Sequence, residues 1–162
     1  MKTSLAALAV LAFAAPAAAQ TNTMSEVTVS TDAAIQIASA ALAACRADGQ
    51  KVTVTVVDHA GREKLRLRDD GAAPHTEVHS FRKAYTAVTY KMPSGEYGKR
   101  VKELSNLGPV LLPNITTAAG GVPILAGERV IGAVGISGTP GSAGGGEHDA
   151  KCAAAGIAKV KF

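Results

Sequence analysis

A chain of 162 residues with 47% hydrophobic content is long enough to close one hydrophobic core. It has no Trp, 4% aromatic residues and a formal charge of +4. It therefore lacks the dense basic face and the interleaved stacking residues of a nucleic-acid binder, and no nucleic-acid partner is expected.

Taken in order, Lys2, the apolar run Leu5 to Ala15 and the small residues Ala17-Ala18-Ala19 before Gln20 read as a secretory signal peptide over residues 1–19. The run is too short and too rich in Ala to stay as a membrane span. The protein is thus expected in the periplasm or outside the cell, with no membrane span after signal removal. Residues 20–30 form a polar leader with a short strand at Val27 to Val29, and residues 31–162 form the domain. Ser30 or Thr31 caps a helix with Asp32 in its first turn and Ile35, Ala38, Leu42 and Cys45 at helical spacing, and Gly49 stops it.

Lys51 to Asp58 alternates, with Val52, Val54 and Val56 on one face and Thr53, Thr55 and Val57 on the other. After a turn at Asp58-His59-Ala60-Gly61, Glu63 to Asp69 returns with Leu65 and Leu67 on one face. Arg62, Lys64, Arg66 and Arg68 form a basic row on the other, suited to solvent, to carboxylates or to a subunit interface. Pro74 opens a second helix whose core stripe is expected to be Val78, Phe81, Tyr85 and Val88. Met92-Pro93 ends it, and Ser94 caps a shorter helix with Glu96 early and Lys99, Arg100 and Lys102 late. Asn106 to Asn114 is irregular.

Gly120 to Gly138, GGVPILAGERVIGAVGISG, reads as strand, tight turn, strand. Gly132 and Gly135 interrupt the second strand, which points to a close approach. That approach is either a helix packed tightly on the sheet or a flat ligand resting on it. The loop TPGSAGGG that follows lacks the Lys-Ser/Thr ending of a phosphate loop. Glu147 and Asp149 then open a last Ala-rich helix. The order of elements argues for an α+β domain, an antiparallel sheet flanked by helices.

Several stretches taken together resemble the haem-binding HbpS-like/GlcG family, related to the C-terminal domain of PduO-type cobalamin adenosyltransferases. They are VTVVDHAGREKLRLRDDGA (Val54 to Ala72), FRKAYTAV (Phe81 to Val88), SGEYGKRV (Ser94 to Val101), the hairpin itself and DAKCAAAGI (Asp149 to Ile157). The resemblance implies an antiparallel sheet of about five strands, assembly into homo-oligomers from dimer to octamer, and haem as ligand. Some members are linked to haem degradation or iron handling.

For a tetrapyrrole, His75 and His79 stand out. They lie four apart on one helix face, with Arg82 and Lys83 a turn later on nearly the same face. An imidazole could hold iron, and the cations could meet propionates, with Gly120 and Gly121 flooring the site. The same pair could hold a divalent metal, or it could be a solvated first turn. Tyr85 and Met92 are lesser iron-ligand candidates. His148, beside the glycine loop, is either a ligand or a surface imidazole, and His59 sits in a turn.

No C-x-x-C-H is present, so binding would be non-covalent. Ser137 lacks the G-x-S-x-G setting of a hydrolase nucleophile. Cys45 and Cys152, with no His placed nearby in sequence, are either a disulfide permitted by export or two small buried apolar groups. A binding protein is favoured over a catalyst, because no acid or base is securely placed. An enzyme that degrades haem or acts on a small organic acid, and a ligand-free accessory module, are the alternatives.

Overall fold

The structure, a computed structural model, describes residues 24–143 and 145–162, so the expected signal segment 1–19 lies outside it. Its elements run α1 (Thr31–Ala47), β1 (Thr53–Asp58), β2 (Glu63–Arg68), α2 (His75–Tyr90), α3 (Ser94–Leu104), β3 (Gly121–Ala126), β4 (Arg129–Ser137) and α4 (Gly145–Ile157). Short 3-10 turns stand at Gly108–Leu111 and Gly141–Ala143. The strands pair antiparallel in the order β2-β1-β4-β3.

The sheet described has four strands, not five. Val27 to Val29 builds no ladder: the Val29 N–H donates to the Ile131 carbonyl at 2.9 Å, just beyond the point where β1 ends at Asp58 opposite Gly132. That contact still anchors the leader, because the Val29 side chain is fully buried over Gly132.

Alternation along the strands divides the core in two. Val54 and Val56 of β1, with Val134 and Ile136 of β4, face α1 and α4. The α1 face is capped by Ser30, whose side chain accepts from the Ala33 N–H, and it buries Ala34, Ile37, Ala38, Ala41, Leu42 and Cys45. Ile35, expected in that stripe, is exposed. Cys45 and Cys152 are joined as a disulfide with Cα atoms 5.5 Å apart, tying the end of α1 to α4.

The other face of the sheet carries Thr53, Thr55, Val57, Ala133 and Gly135, and α2 lies across it. Here the expected stripe holds at Val88, with Phe81 and Tyr85 partly buried, and fails at Val78. Val78 is 55% exposed, while Thr76, Ser80, Lys83, Ala84, Thr86, Ala87 and Val88 are buried. The hydroxyls pair across the interface, Thr53 Oγ1 with Thr76 Oγ1 at 2.7 Å and Thr55 Oγ1 with Ser80 Oγ at 2.8 Å. Burial is tolerated because each polar group has its partner. A methyl at Gly135 would run into the Ser80 carbonyl oxygen, and one at Gly121 into that of Lys83. The space above Gly135 therefore belongs to the α2 backbone, and Gly132 is covered by Val57 and Val29. Neither glycine floors a ligand.

Ser94 does not cap its own helix. Its hydroxyl donates to the Ala118 carbonyl at 2.7 Å and accepts from the Gly121 N–H at 2.8 Å, holding α3 to the start of β3. The basic row on β2 is partly matched by carboxylates: Arg66 pairs with Glu63, and Arg66 and Arg68 lie 3.7 and 3.5 Å from Glu77 of α2.

Candidate functional site

Where β4 ends at Ser137, the chain turns through Gly138, Thr139 and Pro140 into α4, and a cleft of about 670 Å³ opens between this loop and the first half of α2. Its walls carry His75, His79 and Lys83 from α2, Ser137 and Thr139 from the loop side, and Glu147 and Asp149 from α4. The volume falls in the range of about 300–1,000 Å³ usual for small-molecule sites. The glycine loop is thus one wall of the cleft.

Both imidazoles reach the cleft because residues four apart share a helix face. His75 is exposed, while His79 is half-buried with Nδ1 3.3 Å from Ser137 Oγ. Desolvation by burial, then the positive charges of Lys83 and His75, hold the His79 pKa below the ordinary imidazole value. His79 is therefore neutral at pH 7, the state in which an imidazole ligates metals.

Lys83 differs from the expectation. It is 3% exposed and donates to Asp149 Oδ2 at 2.8 Å and to the Ile136 carbonyl at 2.9 Å. Asp149 Oδ1 in turn accepts from the Thr139 N–H at 3.2 Å, so this ion pair locks the cleft loop to α2. Arg82, one residue away and so about 100° around the helix, is exposed and does not line the cleft. The two cations do not act together. Thr139 Oγ1 is buried on the cleft wall with no hydrogen-bond partner among the described residues. A buried hydroxyl left unpaired is costly, and a bound ligand would relieve it.

The other candidates are dispersed. Tyr85 packs its ring on Gly61 and against Phe81, at the β1–β2 turn and away from the cleft. Met92 lines a separate cavity of about 260 Å³ with Tyr90, Tyr97 and Arg100. Gly120 and Gly121 border a groove of about 280 Å³ with Glu96 and Lys99, and not the cleft. His59 pairs with Glu26. His148 stands one turn before Cys152 in α4, beside Asp48 and the disulfide, so the cysteines do have a His near them in sequence. Thr139 and Asp149 are wall residues that the sequence did not point to. Nothing in a strand–loop–helix pattern says that the loop folds back onto another helix.

The fold is a small α+β domain, and its candidate site lies between one helix face and one strand-to-helix loop. The family model for the haem degrading protein HbpS-like matches residues 29–158, and the chain belongs to that family. It is 35% identical over 106 residues to Protein GlcG of Escherichia coli K12, covering 63% of this chain and 78% of that one. A double mutant of Streptomyces reticuli HbpS superposes with a TM-score of 0.80 at 34% identity, covering 92% of this chain and 99% of that one. A PduOC:heme complex superposes with a TM-score of 0.73 at 28% identity, covering 83% and 96%.

Proposed function

We propose that this protein is an exported, non-covalent haem-binding protein, with His79 or His75 as the iron ligand. The observation that carries the reading is a neutral, half-buried imidazole one helical turn from a second one, both on the wall of a cleft large enough for a planar cofactor. The donor set suits iron, and the unpartnered Thr139 hydroxyl on the cleft wall supports a ligand there. Bound there, haem would supply an iron centre that the His79 or His75 imidazole could ligate. The chain supplies the ligand, keeps it unprotonated and holds the loop through Lys83 and Asp149. Arg82 is exposed and lies off the cleft wall, so it can meet only propionates that project out of the cleft. A haem-complex relative of the same fold supports the ligand class.

Haem titration tests the reading. The wild-type protein is expected to shift the Soret band, and the His75→Ala/His79→Ala double variant to lose that shift. Binding by the double variant at wild-type affinity would remove the site. No Soret shift in the wild type would remove the function. A homo-oligomer, from dimer to octamer, belongs to the same proposal. Leu104, Leu107, Leu111 and Leu112 are 64, 64, 82 and 57% exposed on and just beyond α3, an apolar surface suited to a subunit contact. Sedimentation of the purified chain measures it.

A second reading, haem degradation, is favoured by the description of the family and by the Ser137 hydroxyl beside His79, a polar group able to pass a proton. Reductant and oxygen added to the haem-loaded protein should then produce bilin-type absorbance. Bleaching no faster than that of free haem rejects this reading.

A further inference from the structure

Away from the cleft, where α1 meets α4, Cys45, Cys152 and His148 bring their ligand atoms within 4.8 Å of one another. We propose that this cluster is a redox-gated metal site: the dithiol form binds a zinc-type divalent ion through Cys45, Cys152 and His148, and the disulfide form cannot. This cluster depends on the α1–α4 geometry alone, whether or not the cleft takes haem.

Tetrahedral zinc sits about 2.3 Å from sulfur and about 2.0–2.1 Å from imidazole nitrogen, which places neighbouring ligand atoms about 3.5–3.8 Å apart. The observed cluster needs only small side-chain rotations to reach that arrangement once the Sγ–Sγ bond is open. Two thiolates and an imidazole select zinc-type ions over magnesium or calcium. Asp48, just past the end of α1, has Oδ2 3.2 Å from His148 Nε2, too far off line for a hydrogen bond. That ring nitrogen is buried and without a hydrogen-bond partner among the described residues. Asp48 is exposed, so it offers both a fourth, oxygen ligand and a path for the ion from solvent.

The disulfide is not the helices' only contact. Gly156 lies against the Ile37 carbonyl and the Ala41 backbone, so α4 packs directly on α1 through residues other than the cysteines. In the gating step a dithiol reductant gives up two electrons and two protons and becomes a disulfide itself. The Cys45–Cys152 bond breaks to two thiols, and the incoming divalent ion displaces their two protons. In the reverse step a disulfide oxidant takes up the two electrons and, with two protons, becomes a dithiol, while the two thiolates rejoin as the Cys45–Cys152 bond and the divalent ion leaves.

The test is to reduce the protein with a phosphine under anaerobic conditions and titrate it with Co²⁺ as a spectroscopic substitute for Zn²⁺. Thiolate-to-cobalt charge-transfer absorption is expected at a single ion per chain, with the visible bands of a tetrahedral site. The oxidised protein should show neither. The sulfur bands separate this site from the His75–His79 pair, which has no thiolate. His148→Ala should weaken Co²⁺ binding by about tenfold or more. If reduction loosens the fold, Zn²⁺ must raise the Tm of the reduced protein and leave that of the oxidised protein unchanged. Reduced wild type without charge-transfer bands, His148→Ala binding as tightly as wild type, or a reduced protein whose Tm ignores zinc would each overturn the proposal.

Discussion

Lys83 and Asp149 are 3% and 1% exposed, and each is the other's only compensating charge in the interior described. Removing one partner strands the other without water. Lys83→Met should cost about 3–5 kcal/mol by chemical denaturation, and a Lys83→Met/Asp149→Leu double change should recover much of it. If the double variant is no more stable than the single, the pair is not the source of the loss. His79 has the opposite character, a half-buried base kept neutral. Its unfolded state takes a proton near pH 6.5, whereas the folded state does so only at lower pH. Its contribution to stability is therefore complete above about pH 6.5 and declines as pH falls from there towards the folded value. Urea midpoints measured against pH should show that decline in the wild type and a shallower one in His79→Ala. Haem affinity should weaken in acid in parallel, as the ligating nitrogen becomes protonated.

At the scale of elements, the decisive contact is α2 on β4. Gly135→Ala would push a methyl into the Ser80 carbonyl and lift the helix that carries both candidate ligands. A loss of about 3 kcal/mol or more is expected, read as a drop in Tm, together with weaker haem binding. Gly127, in the β3–β4 turn, is a contrast, because its φ of 59° is left-handed but the space around it is open. Gly127→Ala should cost only about 1 kcal/mol and leave haem binding intact. The hairpin was legible from its Val and Ile runs and its bounding glycines. The face that α2 presents was not. Its interface is made of hydroxyls and alanines, and hydrophobic periodicity has no signal for Thr76 against Thr53 or Ser80 against Thr55.

Across the whole molecule, the Cys45–Cys152 bond spans a sequence separation of 107 and joins the first helix to the last. On the chain-entropy account a closed loop of roughly 100 residues contributes about 4–5 kcal/mol, so reduction should lower the Tm by many degrees. A reduced protein melting at the oxidised temperature would show that helix packing alone holds the ends. Arg46 also bonds Asp69 bidentately, at 2.7 and 3.1 Å, and the Arg46 hydrogen bond is the first cause of the lowered Asp69 pKa.

The α+β class, the order of elements and the His75–His79 pair followed from the sequence by itself, because strand and helix periods and i, i+4 spacing are local properties of the chain. Membership of the HbpS-like family was also readable there, in motifs spread from Val54 to Ile157. Only the tertiary structure decided that Lys83 turns inward to Asp149, that α2 fills the room above Gly135, and that His148 stands beside a closed Cys45–Cys152 bond. Each of these depends on which distant backbone arrives at a given face, and that is settled by packing the whole chain at once.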